Sequence, residues 1–264
     1  MSDRVIFRVA EDRVGVVVLN RPDKLNALDL AMFEGLHDAA AQARSAIEEG
    51  TCRAVLLSAE GRAFSSGLDV SLFGGQAGGD YPTDEWIAGL QLAFTAWEDL
   101  RVPVVAAVQG AAFGGGCQLA LAAHLRVVAP DAQIALLEAD WALIPDLGGL
   151  TRLPRLIGLG RATDMAITAR RVAAQTALAW GLVDAVLEDE DFAAAAHAFA
   201  ARLAAGPTLA IGAVPALLRQ SFVTDRDEML AAERAYQQHC LRSGDFVEAA
   251  TAAFQRRPPQ FSGR

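Results

Sequence analysis

Residues 103–124, PVVAAVQGAAFGGGCQLALAAH, constrain this chain more than any other stretch. Val104 to Val108 is an apolar, β-branched run that reads as a buried strand and stops at Gly110. Gly114, Gly115 and Gly116 then open an apolar, Ala-rich run of helical character. A strand delivered through a glycine turn into a helix start leaves backbone N–H groups with no intrahelical partner. They sit at the positive end of the helix dipole. Such a turn binds a phosphate, stabilises an oxyanion, or simply lets a helix start pack closely.

The neighbouring residue types separate these options in part. A mononucleotide phosphate loop requires Lys and Ser or Thr after the last glycine, and Cys117-Gln118 stand there instead. A dinucleotide fingerprint requires G-x-G-x-x-G. The triple glycine lacks that spacing, and after Gly158-Leu159-Gly160 the third position holds Thr163. An oxyanion site and a plain, closely packed helix start remain, and the glycines alone do not choose between them.

Composition bounds the rest. A chain of 264 residues that is 53% hydrophobic fits one large α/β domain, or a core with a smaller appendage. The net charge of −9 argues against nucleic acid as the main partner, Arg256-Arg257 being a local basic pair only. No apolar run reaches the roughly 18 residues of a membrane span, and MSDRVIFRV lacks the apolar core of a signal peptide. Cys52, Cys117 and Cys240 form no CxxC pair and read as reduced thiols. The expectation is a cytoplasmic protein with no membrane partner. His37, His124, His197 and His239 form no metal-binding pattern, so no metal is expected.

Along the chain, residues 5–9 and 14–19 predict a hairpin, broken by Asn20-Arg21-Pro22-Asp23. Asp29 predicts a helix N-cap, with Leu30, Phe33, Leu36, Ala40, Ala43 and Ile47 at helical spacing behind it. Arg53 to Ser58 reads as a buried strand, and Glu60 to Asp80 as a Gly-rich loop long enough to be functional. Thr83 predicts a cap for a helix to about Leu100. Short strands follow at Leu125–Ala129 and Gln133–Leu136, with a last one at Val183–Leu187. Helical patterns dominate from Asp189 to Phe254, Gly206-Pro207 reads as a hinge between a mixed core and a helical tail, and the closing FQRRPPQFSGR is too short and Pro-rich for helix.

LNRPDKLNAL (19–28), AFSSGLD (63–69), VPVVAAVQGAAFGGGCQLALAAH (102–124), LIPDLGGLTRLPRLIG (143–158) and FQRRPPQFSGR (254–264) together resemble the crotonase superfamily, the enoyl-CoA hydratases and isomerases. Any one motif is weak, but five in the family's order across nearly the whole chain are specific. The resemblance implies an α/β fold, a spiral of repeated β-β-α units with a helical C-terminal region. It divides the chain into a catalytic core over 1–200 and a region over 201–264 that serves oligomerisation and covers the CoA site. It implies trimers or paired trimers.

The same resemblance assigns roles. The substrate is an acyl-CoA, with CoA arriving as part of it and no separate cofactor. The enolate oxygen lies in an oxyanion hole made by the backbone N–H groups of Leu68 and Gly115. The chemistry requires such donors, because removing a proton alpha to a thioester places negative charge on the carbonyl oxygen. Lys24, Ala27, Ala63, Ser65, Asp69 and Gln118 are the implied substrate contacts. Hydratases of the family hold a water between two glutamates, and the corresponding positions here are Gln118 and Glu138. Gln118 cannot exchange a proton. Asp146 stands where dienoyl-CoA isomerases carry an aspartate and CoA dehalogenases their nucleophile, so Glu138 and Asp146 are the candidate catalytic residues.

Double-bond isomerisation is therefore favoured. Hydration and a catalytically silent acyl-CoA binding protein are the alternatives, and RNA binding, known for one branch, fits poorly with the acidic composition. Read in isolation, Glu138 is equally an acid paired with an Arg, and Asp146 a turn or cap residue. Trp141, Trp86 and Phe73 are candidates for an acyl pocket or for ordinary packing. Ser65 and Ser66 also suggest a nucleophile, because a self-compartmentalising serine protease shares this fold. The pattern places no histidine beside them.

Overall fold

The computed structural model describes residues 4–72 and 83–263. The first sheet has six strands in the order β1 (Val5–Val9), β2 (Val14–Leu19), β3 (Ala54–Ala59), β4 (Val104–Val108), β6 (Leu125–Val128) and β9 (Ala185–Val186). Only the β1–β2 hairpin is antiparallel, with Val5 opposite Leu19; every other neighbouring pair is parallel. A second sheet joins β5 (Ala111–Phe113), β7 (Gln133–Ala135) and β8 (Val172–Ala173).

The strand sequences explain the layering. β4 and residues 54–57 of β3 are unbroken apolar runs because helices cover both faces of the sheet. Alternate residues go to opposite cores. Val55, Leu57, Val104 and Ala106 pack with α1 (Leu30–Glu48), α2 (Asp84–Glu98) and α3 (Gly115–Ala122). Ala54, Leu56, Val105 and Ala107 pack with Ala196, Ala200 and Ala204 of α7 (Phe192–Ala204).

The strand pairs β4–β5 and β6–β7 each begin in the first sheet and end in the second. α3 follows the first pair, and a 3-10 turn at Glu138–Trp141 followed by α4 (Gly149–Ile157) follows the second. This is the repeated β-β-α path that the resemblance implied. α5 (Leu159–Thr168), α6 (Ala174–Trp180), α8 (Thr208–Gln220), α9 (Arg226–Leu241) and α10 (Gly244–Gln255) complete the chain.

Both predicted caps form: Asp29 accepts from the Met32 N–H and Thr83 from the Trp86 N–H. Two expectations need correction. Leu30 is 44% exposed; the expected Phe33, Leu36, Ala40 and Ala43 are buried, and Met32, Ala39 and Ala46 complete the stripe of α1. The glycine turn after β4 is not a direct passage into a helix, because β5 intervenes. β5 and β8, of three and two residues, are too short to show a period. Gly206-Pro207 does separate two helices, α7 and α8, which bend by 102°.

Candidate active site

Three loops meet around one cavity, and each is fixed by its own backbone chemistry. In the first, Asn26 is fully buried with φ +53, a left-handed conformation that Asn tolerates better than most residues. Its side-chain amide donates to the Glu60 and Ala63 carbonyls at 2.9 Å, and its Oδ1 accepts from the Arg21 N–H at 2.7 Å. In the second, the Ser65 N–H donates to Ala111 of β5, while the Phe113 N–H donates back to Ser65. Leu28 donates to Gly67 and Asp69 donates to Leu28 on the other side. Gly67 lies at φ +97, and any Cβ there would fall 2.7 Å from the Phe113 carbonyl oxygen, so only glycine fits.

The third loop is the start of α3. Gly114 has φ +50 and ψ −119, and its N–H donates to Ala135 of β7. The Gly115 N–H is the first of the helix and has no acceptor among the described residues. The Leu68 N–H, on the strand-like segment beside Leu28, has none either. The two bends are in contact. A Cβ at Gly67 would lie 3.5 Å from the Gly115 nitrogen, and one at Gly115 would lie 3.8 Å from the Leu68 side chain. Leu68 and Gly115 both line the same cavity of about 610 Å³.

Glu138 lines that cavity as well, at the start of the 3-10 turn after β7. It is 7% exposed. Its Oε1 accepts from the Gln118 amide at 2.7 Å, and its buried Oε2 has no partner among the described residues. Burial pushes the Glu138 carboxyl above its ordinary value. A backbone N–H and the Gln118 amide oppose that rise, and the charge of Asp146 adds to it. Asp146 is half-buried and also raised by burial. Its carbonyl accepts from Gln91 at 2.6 Å, and its side chain is not among the described walls of the cavity.

The other sequence candidates divide. Lys24, Ala27 and Asp69 are wall residues. Ala63 and Ser65 are buried and are not walls; Ser66 takes that place. The Ser65 hydroxyl donates to the Asn26 carbonyl and accepts from the Gly67 N–H, so it braces the loop and is not a free nucleophile. Gln118 is 1% exposed, and both ends of its amide are engaged inside the protein. Trp141 is a wall, whereas Trp86 lies against a different cavity beside α1. Phe73 lies outside the described residues. Sequence reasoning missed Arg21 and Asn26. Their signal was present in LNRPDKLNAL, where an Arg precedes Pro22 and an Asn follows two turn residues.

Comparison with known proteins agrees with this geometry. The sequence profile described as Enoyl-CoA hydratase/isomerase matches residues 10–264. A protein of Rhodobacter capsulatus described as a probable enoyl-CoA hydratase is 36% identical, with both chains covered in full. The chain is a member of the enoyl-CoA hydratase/isomerase family. This family member is also 31% identical to the 1,2-epoxyphenylacetyl-CoA isomerase of Escherichia coli K12, over 98% of each chain. Its fold superposes on the crystal structure of an enoyl-CoA hydratase from Bacillus anthracis with a TM-score of 0.90, at 30% identity over 99% of this chain and all of that one. The crotonase-like spiral expected from the motifs is the fold the enzyme adopts.

Proposed function

We propose that this family member moves a proton within an acyl-CoA thioester through an enolate, and that its reaction is double-bond isomerisation. One observation carries the reading. Of the two carboxylates that line the described cavity, Asp69 is tied to Arg21 and Ser71, whereas Glu138 keeps an unpartnered oxygen beside two unpartnered backbone donors, the Leu68 and Gly115 N–H groups. Glu138 Oε2 takes a proton from the carbon alpha to the thioester. The C–H electron pair passes to the thioester oxygen, where the two N–H groups receive the charge. The enolate then collapses: its electron pair returns from the oxygen to restore the carbonyl and form a C2–C3 double bond, while the C3–C4 double bond takes the proton back from Glu138 Oε2 at the carbon two places away. No atom is gained or lost, and no separate cofactor enters.

Hydration demands more: a water held and split between two acid–base groups. Gln118 stands at one of those positions with an amide that has no proton to exchange at neutral pH, which supports isomerisation over hydration. Lys24, Ala27, Ser66 and Asp69 on the cavity wall are the proposed contacts for the CoA portion. The described walls all come from residues 21–143, so a covering role for the region 201–264 falls to a second copy of the chain. α9, none of whose residues is buried in the single chain, supports assembly as a trimer or pair of trimers. The free thiols Cys52 and Cys117, both buried, support a cytoplasmic setting.

The test is turnover of 3-enoyl-, 2-enoyl- and dienoyl-CoA substrates by the wild-type protein and its Glu138→Gln and Asp146→Asn variants. Isomerisation that disappears in Glu138→Gln, beside poor hydration in the wild type, supports the proposal. Robust hydration by the wild type would overturn its preference. Acyl-CoA binding with no turnover of any substrate would establish a binding protein instead.

A further inference from the structure

The side chain of Gln118 is arranged as a bracket. Its nitrogen donates to Glu138 Oε1 at 2.7 Å, and its oxygen accepts from the Leu147 N–H at 2.8 Å and the Gly149 N–H at 2.9 Å. That donor set fixes which end of the amide is which, because a carbonyl oxygen alone can accept from two backbone N–H groups. Gly149 is cut to fit: a Cβ there would lie 2.9 Å from the Gln118 oxygen and 3.0 Å from its Cγ. Gly149 is the first residue of α4, so one side chain ties the start of α4 to the carboxylate in the cavity.

We propose that Gln118 is a positioning residue, not a substrate contact: it locks Glu138 Oε1 as an acceptor, so that Oε2 is the only oxygen that exchanges protons. This inference rests on the reading of Glu138 as the proton carrier. A carboxylate free to rotate presents either oxygen, and both become equivalent. With Oε1 held, the base has one lone-pair direction aimed at the substrate, as a shuttle returning a proton to a specific carbon requires. The bracket also stabilises the ionised form, opposing the rise that burial causes. The other titratable groups facing it are Asp146, whose charge opposes ionisation, and the neighbouring Cys117 thiol, which burial keeps neutral.

The experiment reads the titration of the Glu138 carboxyl by NMR in isotope-labelled protein, alongside kcat and KM for a 3-enoyl-CoA. Gln118→Met removes the donor. The Glu138 midpoint is expected to rise by about one pH unit, and kcat to fall roughly tenfold or more with KM little changed. Gln118→Glu keeps the acceptor for Leu147 and Gly149 but sets a like charge against Glu138, and the midpoint should rise further. Gly149→Ala, which displaces Gln118 sterically, should reproduce the Gln118→Met shift and guards against a Gln118 variant that fails to fold. A purely structural role would lower thermal stability and leave the midpoint in place. An unchanged midpoint in folded Gln118→Met or Gly149→Ala overturns the proposal. If the wild type turns over no enoyl-CoA, the function proposed above fails, while the titration still decides whether Gln118 holds Glu138.

Discussion

Arg21 Nη1 lies 2.5 Å from Asp69 Oδ2, joining the turn before α1 to the loop after Gly67 on the wall of the cavity. The Asp69 carboxyl is held down to about 2, first by the Ser71 backbone N–H and hydroxyl and then by Arg21. A carboxylate depressed on folding contributes stability that is present above its unfolded value near 4 and is lost as pH falls toward 2. Discounted for its partial exposure, that contribution is about 1 kcal/mol. Asp69→Asn should therefore be less stable than wild type at pH 6, with the gap closing between about pH 4 and 2. Urea unfolding across that range measures it, and a gap independent of pH would refute the linkage.

Glu138 should set the acid limb of the pH–rate profile. Burial raises its carboxyl and the charge of Asp146 raises it further, so the acid fall of kcat/KM should lie above the pH of an ordinary carboxylate. Asp146→Asn removes the like charge and should move that limb to lower pH. Glu138→Gln should reduce kcat by roughly 10²- to 10⁴-fold while leaving binding of a saturated acyl-CoA intact. If Asp146 is itself the proton carrier, Asp146→Asn abolishes turnover instead. A profile flat from about pH 5 to 8 would count against both assignments.

The glycine of the second loop makes a sharper test of the proposed oxyanion donors. Gly67→Ala meets the Phe113 carbonyl at 2.7 Å and sits at φ +97, so the loop must shift and carry the Leu68 N–H with it. The cost should be about 1–3 kcal/mol of stability, with kcat lowered by a further factor of roughly 10² or more. Gly115→Ala meets only the end of the Leu28 side chain, at 3.0 Å, which can yield. It should keep most of the stability and lose less activity. Equal kcat in Gly67→Ala and wild type would remove Leu68 from the proposed oxyanion hole.

What the sequence revealed depended on how local the cause was. Asp29 and Thr83 act on N–H groups three residues away, so their caps were readable. The apolar runs of β3 and β4 announced burial on both faces. β5 and β8 exist only because β7 lies between them, and no run of three residues carries that information. The site divided the same way. Glu138 was nominated by the resemblance, and the glycine turn was visible as an exposed set of donors. Ser65 and Gln118 carried the right residue types, but their partners lie 39 residues back at Asn26 and 20 residues on at Glu138. Only the assembled fold shows that both face inward. Arg21 was hidden for the same reason, since its partner is 48 residues away.

The C-terminal tail provides the last prediction. Asp245, buried at the start of α10, accepts from the Ser262 N–H at 2.7 Å, from the Ser262 hydroxyl at 3.1 Å and from the Gly263 N–H at 2.9 Å. The returned tail places the Phe261 carbonyl on Arg53 at 3.0 Å, and Arg53 also donates to Gly206 and Thr208. Arg53 precedes β3 and is 6% exposed, so its guanidinium depends on these acceptors. Asp245→Ala releases the tail and strips one acceptor from that buried cation. The expected loss is about 2–3 kcal/mol in urea unfolding at fixed protein concentration, together with faster carboxypeptidase trimming of residues 258–264. Asp245→Asn keeps an oxygen for the two N–H groups and should lose about half as much. A wild-type unfolding midpoint in Asp245→Ala would mean that the tail adds nothing to the core, and that Arg53 is satisfied by Gly206 and Thr208 alone.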